Sequence, residues 1–269
     1  MSNIFVVGDI HAGYQETKYY NHKDKIIDFN EEGTLIFLGD FGYPWFGGIF
    51  LKCDKNGKTN VIFPERSSEL KFFKKMSKRK FKYYVILGNH EGLYRYLDRA
   101  SLTYDSHVNG FVYIFNIYNK FNNSYYTLNV LKRLGIYSIG GYKFITIGGA
   151  YSSDRDRTIG ETLWLNESLD PNEIKDFIDE HKNSNIKTIL THTPPLALMS
   201  SWVEENLGNE DYDRLIPKFS CTTAKELNTI YFDYCFDIWL FGHLHLDNDE
   251  IIDNSLFKCL FKQKPFKLN

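Results

Sequence analysis

Several things are scarce in this sequence, and each shortage closes a route. Only 4 of the 269 residues are cysteine, and Cys53, Cys221, Cys235 and Cys259 are scattered with no C-x-x-C spacing. That argues against a disulfide scaffold and for inert thiols in a reducing cytoplasm. No apolar run approaches the ~18 residues a membrane span requires. The opening stretch, MSNIFVVGD, lacks the basic flank and cleavage site of a signal peptide and reads as a strand. The expectation is a cytoplasmic protein with no membrane association and no obligate protein partner. The net charge of −2 supplies no global basic field for nucleic acid, although a local groove stays open. There are 7 prolines and no Pro/Gly-rich linker, repeat or low-complexity segment, so residues 1–269 are expected to form a single domain.

Aromatics, by contrast, are abundant, at 22 Phe, 19 Tyr and 4 Trp, and such rings favour sheets and large cores. Six short apolar runs have the length and composition of strands buried on both faces: Ile4–Val7, Leu35–Leu38, Tyr84–Leu87, Phe144–Ile147, Thr188–Leu190 and Ile238–Phe241. Helical patterns fall between them at 67–80, at 171–182 with Pro171 at its start, and more weakly at 222–230. Strands alternating with helices predict an α/β layered fold. Residues 53–64 read as a hairpin or loop around Asn56-Gly57. Residues 103–140, with turn signals at Asn109-Gly110 and Asn122-Asn123, read as antiparallel strands of a second sheet.

Five of the six runs are followed by a residue able to hold a metal: Asp9, Asp40, Asn89, His192 and His243. The sixth is followed by GGAYS. Asp9 and His11, and likewise His243 and His245, stand two apart, so in extended chain each pair faces one way. Mixed oxygen and imidazole donors suit Mn, Fe, Zn or Ni better than Mg or Ca. The set is large enough for two ions sharing a carboxylate, the arrangement used in phosphoryl chemistry. One Gly-Asp after a strand is often only a turn; three Asp or Asn in register with four histidines are much harder to read that way.

The segments GDIHA, GD, GNHE, a lone histidine after a strand, and GHLH occur in this order from Asp9 to His245. In this the sequence resembles the calcineurin-like metallophosphoesterases; GDFGYPW and GGAYSSDRDR resemble a compact subgroup found in bacteria and their phages. The resemblance implies a four-layer αββα sandwich, two mixed sheets flanked by helices. It implies two divalent or trivalent metal ions, Mn first, with Fe, Zn or Ni as alternatives. Asp9, His11 and His245 would hold one ion, Asn89, His192 and His243 the other, and Asp40 would bridge them. A bridging water would attack phosphorus, with His90 as general acid.

The sequence departs from the phosphoprotein phosphatase branch at Tyr43 and Pro44, where that branch keeps an Asp and an Arg, and at Ala12 in place of Gly. Another cation must then grip phosphate. Arg155 and Arg157, in a loop after a strand, are the candidates, with Asn89 and Tyr43 as further substrate contacts; the alternative is a solvated loop whose charges pair with each other. The implied substrate is a phosphorylated small molecule, a nucleotide or a nucleic-acid end. Nuclease or cyclic-nucleotide phosphodiesterase activity is the close alternative, with Tyr43, Trp45, Phe46 and Tyr151 available to stack on a base or to fill a core. A non-catalytic scaffold is disfavoured, since no inferred ligand is missing. Glu91 suits the start of a helix near Leu93–Leu97. His22, His107 and His181 are assigned no role.

Overall fold

A computed structural model of the chain describes residues 3–11, 31–42, 50–53, 59–62, 68–119, 123–152, 166–207, 220–261 and 265–269. In chain order the elements are β1 (Ile4–Val7), β2 (Gly33–Leu38), β3 (Phe50–Cys53), β4 (Thr59–Ile62), α1 (Ser68–Met76), β5 (Phe81–Ile86), a 3₁₀ helix (Gly92–Arg99), β6 (Ser101–Asp105), β7 (Gly110–Asn119), β8 (Ser124–Leu131), β9 (Leu134–Ile139) and β10 (Tyr142–Ile147). Then come α2 (Pro171–His181), β11 (Thr188–Thr191), α3 (Leu196–Leu207), α4 (Thr222–Asp233), β12 (Ile238–Phe241), β13 (Asn248–Ile252), β14 (Ser255–Cys259) and β15 (Phe266–Lys267).

The strands form two mixed sheets. One runs β15-β1-β2-β5-β8-β7-β4-β3, with β6 also on β7; the other runs β13-β14-β12-β11-β10-β9. The six apolar runs of the sequence are their parallel centres, β1, β2 and β5 in the first and β10, β11 and β12 in the second.

Period-two alternation sorts their side chains into layers. Phe5, Val7, Leu35, Phe37, Tyr83 and Val85 pack with Leu70, Phe72, Phe73 and Met76 of α1. Their neighbours Ile4, Val6, Ile36, Leu38, Tyr84 and Ile86 turn the other way and meet Phe144, Leu190 and Leu240 of the second sheet. The far face of that sheet, Ile145, Ile147, Ile189, Trp239 and Phe241, packs on Ile174 and Ile178 of α2, Trp202 of α3 and Leu227 and Ile230 of α4. The order is therefore helix, sheet, sheet, helices, an α/β fold. Each fully buried large side chain contributes roughly 1.5–3 kcal/mol to it.

One sequence expectation changes, and two elements had no expectation. Most of residues 103–140 belongs to the first sheet, not a second one: β8 pairs with β5 in parallel, Tyr84 opposite Asn129, and only β9 joins the other sheet. Helix α3 had no clear signal, because its apolar residues are spread around it rather than gathered in a stripe. The β13–β14 hairpin was also missed. Where a hairpin or loop was expected over residues 53–64, β3 and β4 pair antiparallel from Phe50 opposite Ile62 to Cys53 opposite Thr59; Asn56 and Gly57 lie outside the described residues. Pro171 opens α2, where the side chain of Asp170 accepts the N–H of Asn172 at 2.8 Å.

Candidate metal centre

The C-terminal ends of β1, β2, β5, β11 and β12 meet along one rim, where the sheets are stitched together. Gly149 N–H donates to Leu87 O at 2.7 Å, and His243 N–H to Asp9 Oδ2 at 2.9 Å. Close approach requires glycines here: a Cβ on Gly88 would stand 2.4 Å from Asp40 Oδ1, and one on Gly242 would stand 2.2 Å from Asp9 Oδ1.

The rim gathers the predicted ligands into two groups. Asp9, His11, Asp40 and His245 form one; Asp40, His192 and His243 form the other; within each group the ligand atoms lie within 4.8 Å of one another. Asp40 belongs to both. Asn89 joins the second group, its Oδ1 2.9 Å from His192 Nε2. His90 Nε2 stands 3.7 Å from Asp40 Oδ2 at the edge of the cluster. Of the two i, i+2 pairs, Asp9 and His11 share a group and His243 and His245 do not. His11, His243 and His245 are in the left-handed region, at φ 41°, 67° and 55°, so the chain turns there rather than extends. Asp40, at φ 44°, shares that strained backbone.

The donor chemistry fits metal ions. Leu38 O can only accept, so His192 Nδ1, 2.8 Å away, carries a proton. Its Nε2 lies 2.9 Å from Asn89 Oδ1, and the Asn89 amide is oriented by Nδ2 donating to Ser152 Oγ at 2.5 Å. With Nε2 unprotonated, these two atoms would be two ligands of one cation. Asp9 Oδ1 is buried with no hydrogen-bond partner among the described residues. Burial pushes Asp40 up, and the charge of Asp9 pushes it further. Burial would also raise Asp9, but His245, His192 and His11 hold it down, at about 2. Burial and the neighbouring His192 lower His243, leaving its imidazole neutral, the form that binds a metal. Two adjacent buried carboxylates are costly to ionise together unless cations join them.

Two residues at this rim were legible only as loop and helix start. Ser152 is the partner that orients Asn89. Glu91 is fully buried and its side chain makes no cap bond to the 3₁₀ helix; its carboxylate oxygens accept the N–H groups of Phe41 and Gly88, both at 2.6 Å. Burial, with the charge of Asp40 behind it, pushes Glu91 up to about 8, while two N–H donors and cations at the two ligand groups favour its ionised form. Tyr43, Pro44, Trp45, Phe46, Arg155 and Arg157 lie outside the described residues, as do Ala12 and His22. Tyr151 is half exposed beside Ser152. His107 bonds Thr34 Oγ1 at 2.7 Å, far from the ligands in the fold, and His181 packs on Phe177.

A family model for calcineurin-like phosphoesterases matches residues 2–247. The chain belongs to that family and is a phosphoester hydrolase of its metal-dependent class. No curated relative matches the sequence. Among solved structures, phosphopantetheinyl hydrolase from Mycobacterium tuberculosis aligns at 11% identity and TM-score 0.48, over 97% of this chain and 90% of its own. A protein from Thermus thermophilus aligns at 10% and 0.45, over 96% and 88%. A 5′-nucleotidase from Staphylococcus aureus, itself described as putative, aligns at 15% and 0.41, over 96% of this chain and 48% of its own. No helix among the described residues is long and apolar enough to cross a membrane.

Proposed function

We propose that the protein hydrolyses a phosphomonoester or phosphodiester at a two-ion centre in which Asp40 is the shared ligand. The observation that carries this reading is the double membership of Asp40 in the two ligand groups. Asp9, His11 and His245 complete one site; Asn89, His192 and His243 complete the other. When bound, such a pair of ions supplies Lewis acidity and a water acidified enough to attack at neutral pH. The chain's own residues do the rest. Asp40 fixes the spacing of the two sites and, through Oδ1, receives the backbone N–H groups of Asn89 and His90 at 3.0 and 2.9 Å. That anchors His90 beside the centre, where its Nε2 gives a proton to the departing ester oxygen. Buried Asp9 and the neutral His243 hold their orientation before any substrate arrives.

The physiological substrate in this reading is a phosphorylated small molecule, a nucleotide or a nucleic-acid end, met in the cytoplasm, with Mn as the first candidate ion. The test is hydrolysis of p-nitrophenyl phosphate and its bis ester by metal-stripped protein refilled with Mn²⁺, followed by a panel of nucleotides and short DNA or RNA. Hydrolysis of either ester that returns with Mn²⁺ is the expected result. Silence on both, in protein shown to contain two ions, defeats the proposal and favours a scaffold.

A further inference from the structure

Glu91 is a buried acid of the rim that belongs to neither ligand group. It sits at the N-cap position of the 3₁₀ helix in an extended conformation, φ −100° and ψ 114°, yet makes no side-chain cap bond. An acid at a helix start ordinarily serves that helix; this one reaches elsewhere. Oε1 accepts from Phe41, the residue after Asp40, and Oε2 accepts from Gly88, the residue before Asn89. One carboxylate thus ties the β2 loop to the β5 loop across 50 residues of sequence. The Gly88 peptide is held at its other end too, because Tyr94 donates its hydroxyl to Gly88 O at 2.6 Å. Phe41 is fixed by its ring, edge-on to Phe37 and Phe72 with centroids 4.7 and 5.6 Å away.

Burying a carboxylate costs several kcal/mol, and a tie needed only for folding can be made without one. What a carboxylate offers is two acceptors at a fixed spacing. Gln offers one acceptor and turns its NH₂ on the second N–H. We infer that Glu91 is a positioning residue whose carboxylate sets the distance between Asp40 and Asn89, and through them the spacing of the two ion sites. This rests on the two-ion reading above.

The experiment follows Mn²⁺ binding to metal-stripped wild type, Glu91→Gln and Glu91→Asp by calorimetry. It records the electron paramagnetic resonance spectrum at saturating Mn²⁺, where the coupling between two ions reports their spacing. We expect the Gln variant to bind the second ion ~10–100-fold more weakly, to show altered Mn–Mn coupling even when both ions are bound, and to lose kcat with KM little changed. The Asp variant, which keeps both acceptors, should recover part of each. Unchanged affinity, coupling and kcat in the Gln variant overturn the inference. So does a result in which both variants are unfolded with or without Mn²⁺, since Glu91 is then a folding residue. If wild type itself binds fewer than two Mn²⁺ or cleaves no phosphoester, it is the two-ion reading that fails, and the Glu91 inference with it.

Discussion

The two ends of the same parallel strands treat polar groups in opposite ways. Near the N-terminal ends of β2 and β5, Asp105 accepts Lys82 Nζ and Tyr84 OH on Oδ2, both at 2.7 Å, and the His107 N–H on Oδ1 at 3.0 Å. His107 in turn bonds Thr34 and lies parallel to the Tyr84 ring, 6.1 Å between centroids. Donors meet acceptors throughout. At the C-terminal ends, carboxylates crowd imidazoles, Asp9 Oδ1 has no hydrogen-bond partner among the described residues, and four ligands sit on left-handed backbone. A polar cluster closed by its own hydrogen bonds holds the fold together. A cluster that stays open in the same protein leaves cations to close it.

Removing the shared carboxylate should break the open end most severely. In Asp40→Asn, bound Mn²⁺ should fall below two per chain. Turnover should fall by more than the ~10–100-fold typical of changes outside the ligand set. A thermal counterpart sharpens this. Wild type should gain melting temperature with Mn²⁺, by the equivalent of about 2.7 kcal/mol at a hundred times the dissociation constant, and the variant should gain much less. A variant that keeps two ions and full activity would falsify the bridging role of Asp40.

Replacing His90 by Asn should cost less and leave the ions in place. Loss of a general acid lowers kcat by ~10²–10⁴, and the loss should be larger for a poor leaving group such as an alkyl alcohol than for p-nitrophenol. Equal losses for both leaving groups would show that His90 acts otherwise, for example by holding substrate.

How much of this the sequence disclosed follows from how far each interaction reaches. Asp9, Asp40, Asn89, His192 and His243 were legible because each stands two positions past the end of an apolar run, and a strand buried on both faces announces its own end. The sheet to which residues 103–131 belong was not legible, because it depends on the pairing of Tyr84 with Asn129, 45 positions on. Ser152 and Glu91 were hidden for the same reason. Their partners, Asn89 for one and Phe41 for the other, are 63 and 50 residues away, and locally they look like a loop serine and a helix-starting acid.

A smaller effect is expected from the segment that holds Arg155 and Arg157. If Arg155 or Arg157 supplies the phosphate contact that Tyr43 and Pro44 do not, Ala at each should raise KM, and the double variant should raise it further, with bound metal unchanged. The cost of a charge-assisted bond is ~1.5–3 kcal/mol, about 10- to 150-fold. Near-wild-type kcat/KM in both single variants and the double variant would sink that assignment.

The closed end should respond least, and only in stability. Asp105→Asn keeps the shape but cannot accept from both Lys82 and Tyr84 on one oxygen while also serving the His107 N–H. The expected loss is about 1 kcal/mol at neutral pH, with kcat/KM and metal content intact. Its pH dependence follows from charge. Burial opposes ionisation of Asp105, but the bonds from Lys82, Tyr84 and the His107 N–H outweigh it and hold the carboxyl below its ordinary value. A carboxyl lowered in the folded state contributes stability that is present above its unfolded value of about 3.9 and fades as pH falls through the folded one. The gap in melting temperature between wild type and Asp105→Asn should therefore be constant near neutrality and close below about pH 4. A gap that stays fixed down to acid pH would mean that shape, not charge, makes this cluster stable. The contrast between the two ends would then rest on geometry alone.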